Sequence, residues 1–338
     1  MSMIDQPARP IHAATLQHRA LLAGLMRWET LLVALLILTS AVNAQLSPHF
    51  LSLKNFSSMA VTFMPAGLMV LSMTFIILIA GIDLSVASML GLSAAVMALI
   101  FHAGINIWLA VAVSLVTGGL AGLINGVAIA GIRLPSLIVT LATLALFRGV
   151  AYGLIGESAV YGFPPSFVFL GRGYVPGTAI PMPIAIFAVF AVFFILILHR
   201  TSFGRSIYAI GNNVSASRYS GLAVDRLTLI LFVLSGVMCA VGGLIMSARF
   251  DSARGDAATG MELDVITAVL LGGVSVFGGK GTMIGPIIAL FLIGEVRYGM
   301  DLQNLSAQEQ TIAIGALLIF SVLVNELFRR NWTRKKGR

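Results

Sequence analysis

Between residues 30 and 327 the chain is a succession of long apolar runs parted by short polar breaks. That pattern leaves few folds open, because a helix crossing roughly 30 Å of hydrocarbon needs about 20 mostly apolar residues. Runs of this kind fall at 30–46, 58–80, 84–101, 107–130, 136–155, 181–199, 227–248, 263–277, 282–299 and 310–327. The expectation is an all-α, polytopic transmembrane bundle of about ten spans, since lipid leaves only helices or closed barrels for the backbone. Composition agrees. Of the 338 residues 58% are hydrophobic and 10% charged, against about 25% charged in a soluble domain.

The cations orient the bundle. Most of the 21 Lys and Arg residues sit in the segment 1–29, the turn at Arg133, the polar stretch 200–226, Lys280 and the tail 328–338. Cytoplasmic loops carry such an excess, so these pieces and both termini are expected in the cytoplasm, flanking a transmembrane domain at 30–327. The net charge of +8 then needs no nucleic acid, because the cations form no folded basic face. The first apolar run carries no small-residue cleavage site, so an uncleaved first span is expected.

Two external loops stand out. Residues 156–180 are rich in Gly, Pro and aromatics, suiting an ordered loop or a re-entrant segment, and 249–262 carry both charge signs. On the inner side, 200–226 is too polar to span yet holds Phe203, Ile207, Tyr208, Ile210 and Tyr219. One or two short helices are expected there, parted by a turn at Gly211-Asn212-Asn213. Gly118, Gly122 and Gly126 recur every four residues, the spacing that lets helix backbones approach in lipid.

Catalytic chemistry is absent from the pattern. Cys239 is the only cysteine, which excludes an intrachain disulfide, and the five histidines lack metal-binding spacing. The run Val276–Thr282 resembles a phosphate loop only faintly. Val274 stands where the first glycine belongs, and Gly281 where a magnesium-binding hydroxyl belongs. An ion-coupled carrier would place ionisable groups deep in its spans. The candidates are Asp83, Arg148, Glu295 and Arg297, with Glu295 and Arg297 expected to neutralise each other. A stand-alone carrier and a membrane enzyme remain the competing readings.

Several ordered motifs carry a resemblance. They are Gly81-Ile82-Asp83-Leu84-Ser85, Asn125-Gly126, Pro135-Ser136-Leu137-Ile138-Val139-Thr140, Thr201–Asn212, and Glu262–Ile266 followed by Leu271–Gly279. Together they closely resemble the ribose-type sugar permeases of ATP-binding-cassette importers, over about residues 30–327. The resemblance implies a multi-pass subunit of the bacterial inner membrane. It would work with a second permease subunit, identical or paralogous, a cytoplasmic ATPase and a periplasmic sugar-binding protein. ATP and magnesium would sit on the ATPase, with no cofactor in this chain. The implied coupling element is the loop at Phe203, Gly204, Arg205, Gly211 and Asn212. Asn125, Thr140, Thr143 and Phe147 would offer a sugar weak polar and ring contacts. Asp83 and Asp264 are expected to cap the helices that follow them. Glu295, Arg297 and Tyr298 depart from the ribose-type pattern, which tends there to neutral polar residues. An inverted repeat relating spans two to five to spans seven to ten is a further expectation.

Overall fold

The computed structural model describes residues 28–46, 50, 52–156 and 158–336. The N-terminal segment expected at 1–29 lies outside the described residues except for Trp28 and Glu29, as do the last two residues of the tail.

Two long helices, α2 (Leu53–Leu78) and α10 (Val224–Phe250), pass through the middle of the protein and pack on each other. Their sequences are apolar on nearly every side, the mark of a helix buried all round. Leu68, Met69, Leu71, Met73 and Phe75 of α2 are fully buried. α2 continues through Pro65, and Gly242 of α10 faces the Pro65 carbonyl, where a Cβ would stand 3.2 Å away.

On one side of this pair lie α3 (Val86–His102), α4 (Ile107–Gly126, continued by a π-turn at Val127–Gly131) and α5 (Ser136–Ile155). On the other lie α1 (Trp28–Leu46), α11 (Met261–Leu271), α12 (Ile284–Leu302) and α13 (Ala307–Lys336), with α7 (Met182–Arg200) against α2. Among the described residues six helices are long and apolar enough to cross a membrane: α1, α2 from Ser57, α4 with its π-turn, α5, α7 and α10. Their outer faces carry exposed Leu109, Val116, Ile138, Leu141, Val189 and Phe193, an apolar surface that water would not tolerate at this extent.

The glycine spacing of α4 finds its partner in α10. A Cβ on Gly118 would lie 2.4 Å from the Gly236 carbonyl, one on Gly122 2.2 Å from the Phe232 carbonyl, and one on Gly236 2.0 Å from the Gly118 carbonyl. Only bare backbones fit, on both sides of the contact.

The expected eighth span, 263–277, is not one continuous helix. α11 stops at Leu271, and 272–283 fold back in a tight turn in which Ser275 N–H donates to Lys280 O at 2.9 Å. Gly273, Gly278, Gly279 and Gly281 all have positive φ there, between 71° and 140°. Four residues freed from Cβ strain turn the chain where an apolar run alone would have continued it.

The loops at 156–180 and 249–262 are ordered and joined. Residues 156–180 contain β1 (Val160–Tyr161) and α6 (Pro165–Arg172), and β1 pairs antiparallel with β2 (Ser252–Ala253) from the other loop, Val160 opposite Ala253.

Gly236→Val would force the α4 and α10 backbones apart, at a cost of about 1–3 kcal/mol typical of overpacking. Its thermal midpoint in detergent is expected to fall clearly below that of Gly149→Ala, whose added methyl meets nothing within 4 Å.

Candidate functional site

The polar stretch after α7 folds into α8 (Ser202–Asn212) and α9 (Val214–Tyr219), with the break at Asn213. Thr201 starts α8, its hydroxyl accepting from Gly204 N–H at 3.2 Å and donating to Ile197 O at 2.6 Å. Ile207 and Ile210 are buried, and Phe203 stacks near Phe75 with ring centroids 6.5 Å apart. Gly204 and Gly211 allow the helix to lie flat on the membrane body. A Cβ on Gly204 would come within 2.0 Å of Leu198 O, and one on Gly211 within 1.8 Å of Leu78 O and 2.4 Å of Gly279 N. Tyr208 Oη donates to Gly281 O at 2.7 Å, and Asn212 Nδ2 to Tyr208 O at 2.8 Å. Burial pushes the Tyr208 phenol above its ordinary pKa.

The opposite face of the same unit is free of such contacts with the bundle. Arg205, Ala209, Asn212, Asn213 and Val214 are exposed, and Tyr219 is 93% exposed at the tip. Of the five residues singled out in sequence, then, Phe203, Gly204 and Gly211 seat the helix, Asn212 reaches the Gly279 carbonyl of the 272–283 turn at 3.5 Å, and Arg205 looks outward. Tyr219 belongs with the outward group. Its signal was a large aromatic in the most polar stretch of the chain. Arg218 forms an ion pair with Asp225 and ties α9 to the start of α10.

Above this seat is a buried polar cluster. Asp83 Oδ1 accepts from Ser85 N at 3.0 Å and from Ser85 Oγ at 2.6 Å, and Oδ2 from Ser235 Oγ at 3.4 Å. Asn125 Nδ2 donates to Ser85 Oγ at 2.8 Å, and its Oδ1 has no partner although it is buried. The loop before α3, α4 and α10 are thus joined by one carboxylate. The carboxylate meets the N–H of Ser85, the residue preceding the first turn of α3. Thr140 and Thr143 donate to carbonyls of their own helix, at Ser136 (2.9 Å) and Val139 (3.1 Å), and with Phe147 pack α5 on α3.

At the other end of the bundle, Arg148 Nη1 donates to Gly255 O and Ala257 O, both at 2.8 Å, and fixes the loop before α11. A cavity of about 600 Å³ opens there, lined in part by Tyr161, Ser247, Phe250, Arg254, Asp256 and Thr259. Arg254 grips Asp256 with two bonds, of 2.8 and 3.0 Å. The hydrogen bond from Arg254 holds the Asp256 carboxyl below the usual carboxylate range. Hydroxyls, one ion pair and ring faces make a surface suited to a neutral polyol.

Residues 55–322 match the family described as "Branched-chain amino acid transport system / permease component". The autoinducer 2 import system permease protein LsrD of Klebsiella pneumoniae is 34% identical over 320 residues, spanning 93% of this chain and 96% of that protein. The ribose import permease protein RbsC of Escherichia coli is 37% identical over 307 residues, 90% of this chain and 94% of that one. The chain belongs to this permease family. No solved structure matches it. The permease is the membrane component of an ATP-binding-cassette importer and not an enzyme.

Its ionisable residues within the bundle are engaged differently from the sequence expectation. Asp264 does not cap α11. The helix begins at Met261, three residues earlier, and Asp264 turns sideways to pair with Arg297 of α12 at 2.6 Å. Arg297 is therefore not neutralised by Glu295. Glu295 is 5% exposed and accepts from Ser40 Oγ at 2.7 Å and Thr39 Oγ1 at 2.9 Å on α1. Tyr298 bonds to Asn55 Oδ1 at the start of α2. Three residues of one α12 segment thus fasten three different helices. Among the described residues no group of three or more His, Cys, Asp or Glu could hold a metal ion.

The Arg254–Asp256 pair gives a pH dependence with a definite sign. A carboxylate whose folded pKa is depressed adds stability above its ordinary pKa, and the gain is lost as pH falls through the lower folded value. The difference in stability between the permease and Asp256→Asn is expected to stay level from pH 7 to about 5 and to shrink below about pH 4. The pair is exposed, so the difference is small and should fade in 1 M salt. Melting curves across that range check it.

Proposed function

We propose that this permease carries a sugar or sugar-like molecule inward across the bacterial inner membrane, driven by an ATPase that it does not itself contain. The relatives named for ribose and autoinducer 2 support that substrate class. The observation that carries the mechanism is the division of α8 and α9 into a glycine-seated face and a free face bearing Arg205 and Tyr219. A helix seated so closely on α2 and on the 272–283 turn cannot be pushed without moving them. ATP and magnesium belong to the partner, which presses on the free face. Substrate waits in the outer cavity at Arg254–Asp256, delivered by an external binding protein that docks on the loops containing α6 and β2. A second permease subunit completes the pathway. In this reading the chain crosses the membrane about ten times with both termini in the cytoplasm, α11 and α12 together with α3 and α13 supplying the crossings beyond the six long apolar helices.

Two experiments test this. In proteoliposomes containing the permease, its ATPase and its binding protein, sugar uptake is expected to require ATP and all three proteins. Uptake by the permease alone under a sodium or proton gradient would overturn the reading in favour of a secondary carrier. With Arg205→Glu and Tyr219→Ala combined, the permease is expected to insert and melt normally while ATP-dependent uptake falls by at least about tenfold, the loss of roughly 1.4 kcal/mol of docking energy. Unchanged uptake would remove the free face from the coupling role.

A further inference from the structure

At the outer end of the bundle two arginines share one small cavity. It measures about 310 Å³, and Ser57, Ser58, Tyr174, Arg172 and Arg249 line it. Their proximity is built into the backbone. A Cβ on Gly171 would stand 2.2 Å from Arg249 N, so the end of α6 lies directly on the end of α10. Arg172 Nε then donates to Arg249 O at 2.6 Å, and Arg249 Nη2 donates to Thr62 Oγ1 at 2.8 Å. Each guanidinium is thereby held in place with donors to spare. Neither has a carboxylate: among the described residues the ion pairs are Arg218–Asp225, Arg254–Asp256 and Arg297–Asp264.

Holding two like charges side by side without a counter-charge is costly, and the cost is relieved when an anion enters. Arg forks match phosphate oxygens two at a time, and the serine and tyrosine hydroxyls can supply further donors. The position of the cavity narrows the choice of anion. Ser57 and Ser58 lie near the start of α2 and Arg249 near the end of α10, so the cavity is level with the ends of the two core helices. Exposed Tyr174 and Phe250 flank it, as aromatics flank a membrane interface. Pro181, also at the cavity, leads straight into α7. The exposed Val189, Val192, Phe193 and Leu196 of α7 then continue roughly 10–20 Å along the helix, at 1.5 Å per residue. A charged pocket above an apolar wall fits an amphiphile with an anionic head.

We propose that the Arg172–Arg249 cavity binds the phosphate of a membrane phospholipid whose acyl chain lies along α7. Assignment to the outer leaflet rests on the orientation proposed above; the binding itself does not, and it can be tested apart from transport. The full-length protein, stripped of lipid in detergent, would be titrated with phosphatidylglycerol and followed by native mass spectrometry and by thermal shift. Wild type is expected to bind and melt higher. Arg172→Gln with Arg249→Gln should bind about tenfold more weakly or worse, the loss of one or more charge-assisted bonds. Arg172→Lys with Arg249→Lys should fall between, keeping charge without the fork. If the double glutamine variant does not fold, Arg172→Gln alone, an exposed side chain, should still show part of the loss. Equal phosphatidylglycerol binding by wild type and the glutamine variants would overturn the proposal. Complete displacement of the lipid by millimolar inorganic phosphate would overturn the lipid assignment, leaving a site for free phosphate.

Discussion

At the C-terminal end of α2 the carbonyl of Leu78 accepts a hydrogen bond from Gly279 N–H at 2.8 Å and leaves no space for a side chain on Gly211. Three separate pieces of the chain meet there: the end of a core helix, the turn that ends the α11 segment, and the helix α8. Helix ends leave carbonyls unsatisfied, and one buried in a membrane protein must find a donor. The Gly279 N–H is that donor, and glycine at 211 is what lets α8 lie over the junction. A larger residue at either glycine would lift α8 off its seat, and α8 and α9 together would lose their register with the bundle.

The same economy governs the interior. Charges inside a membrane protein are expensive unless paired or bonded, and several within this bundle have structural partners, while Glu262 Oε2 and Arg297 Nε are buried without one. Asp264 meets Arg297, Glu295 takes the hydroxyls of α1, and Arg148 holds two carbonyls of the loop before α11. Asp83 differs, since its partners are neutral hydroxyls and an N–H, and the neighbouring Asn125 oxygen is left without a donor. With Ser93 Oγ, Glu262 Oε2 and Arg297 Nε, that oxygen is among the buried polar atoms of the described residues left without a partner.

Much of this was legible in the sequence because lipid imposes simple rules. Apolar runs of about 20 residues marked the long helices, and the glycine spacing of α4 foretold a close contact, though not that Gly236 would answer it. The apolar knobs within 200–226 foretold short helices in place of a loose loop. What failed were features that depend on partners distant in sequence. The run 263–277 is apolar enough to span, but its positive-φ glycines, and a bond offered by Leu78 some two hundred residues earlier, fold it back. Asp264 looked like a cap because it stands near a helix start, and only the fold brings Arg297 beside it. Tyr219 could be seen as an outlier in composition, while its exposure depends on α9 turning it away from the bundle.

The small ribbon of β1 and β2 stitches the loop that follows α5 to the loop that follows α10. Those loops lie about ninety residues apart in the chain, yet two strands of two residues make them one stiff bracket. Arg148 and Asp251 pin the same bracket to its supports, through Gly255, Ala257 and Phe163. A tug on either loop is therefore shared with the other before it reaches the helices. That end of the protein is tied as a single yoke across α5 and α10.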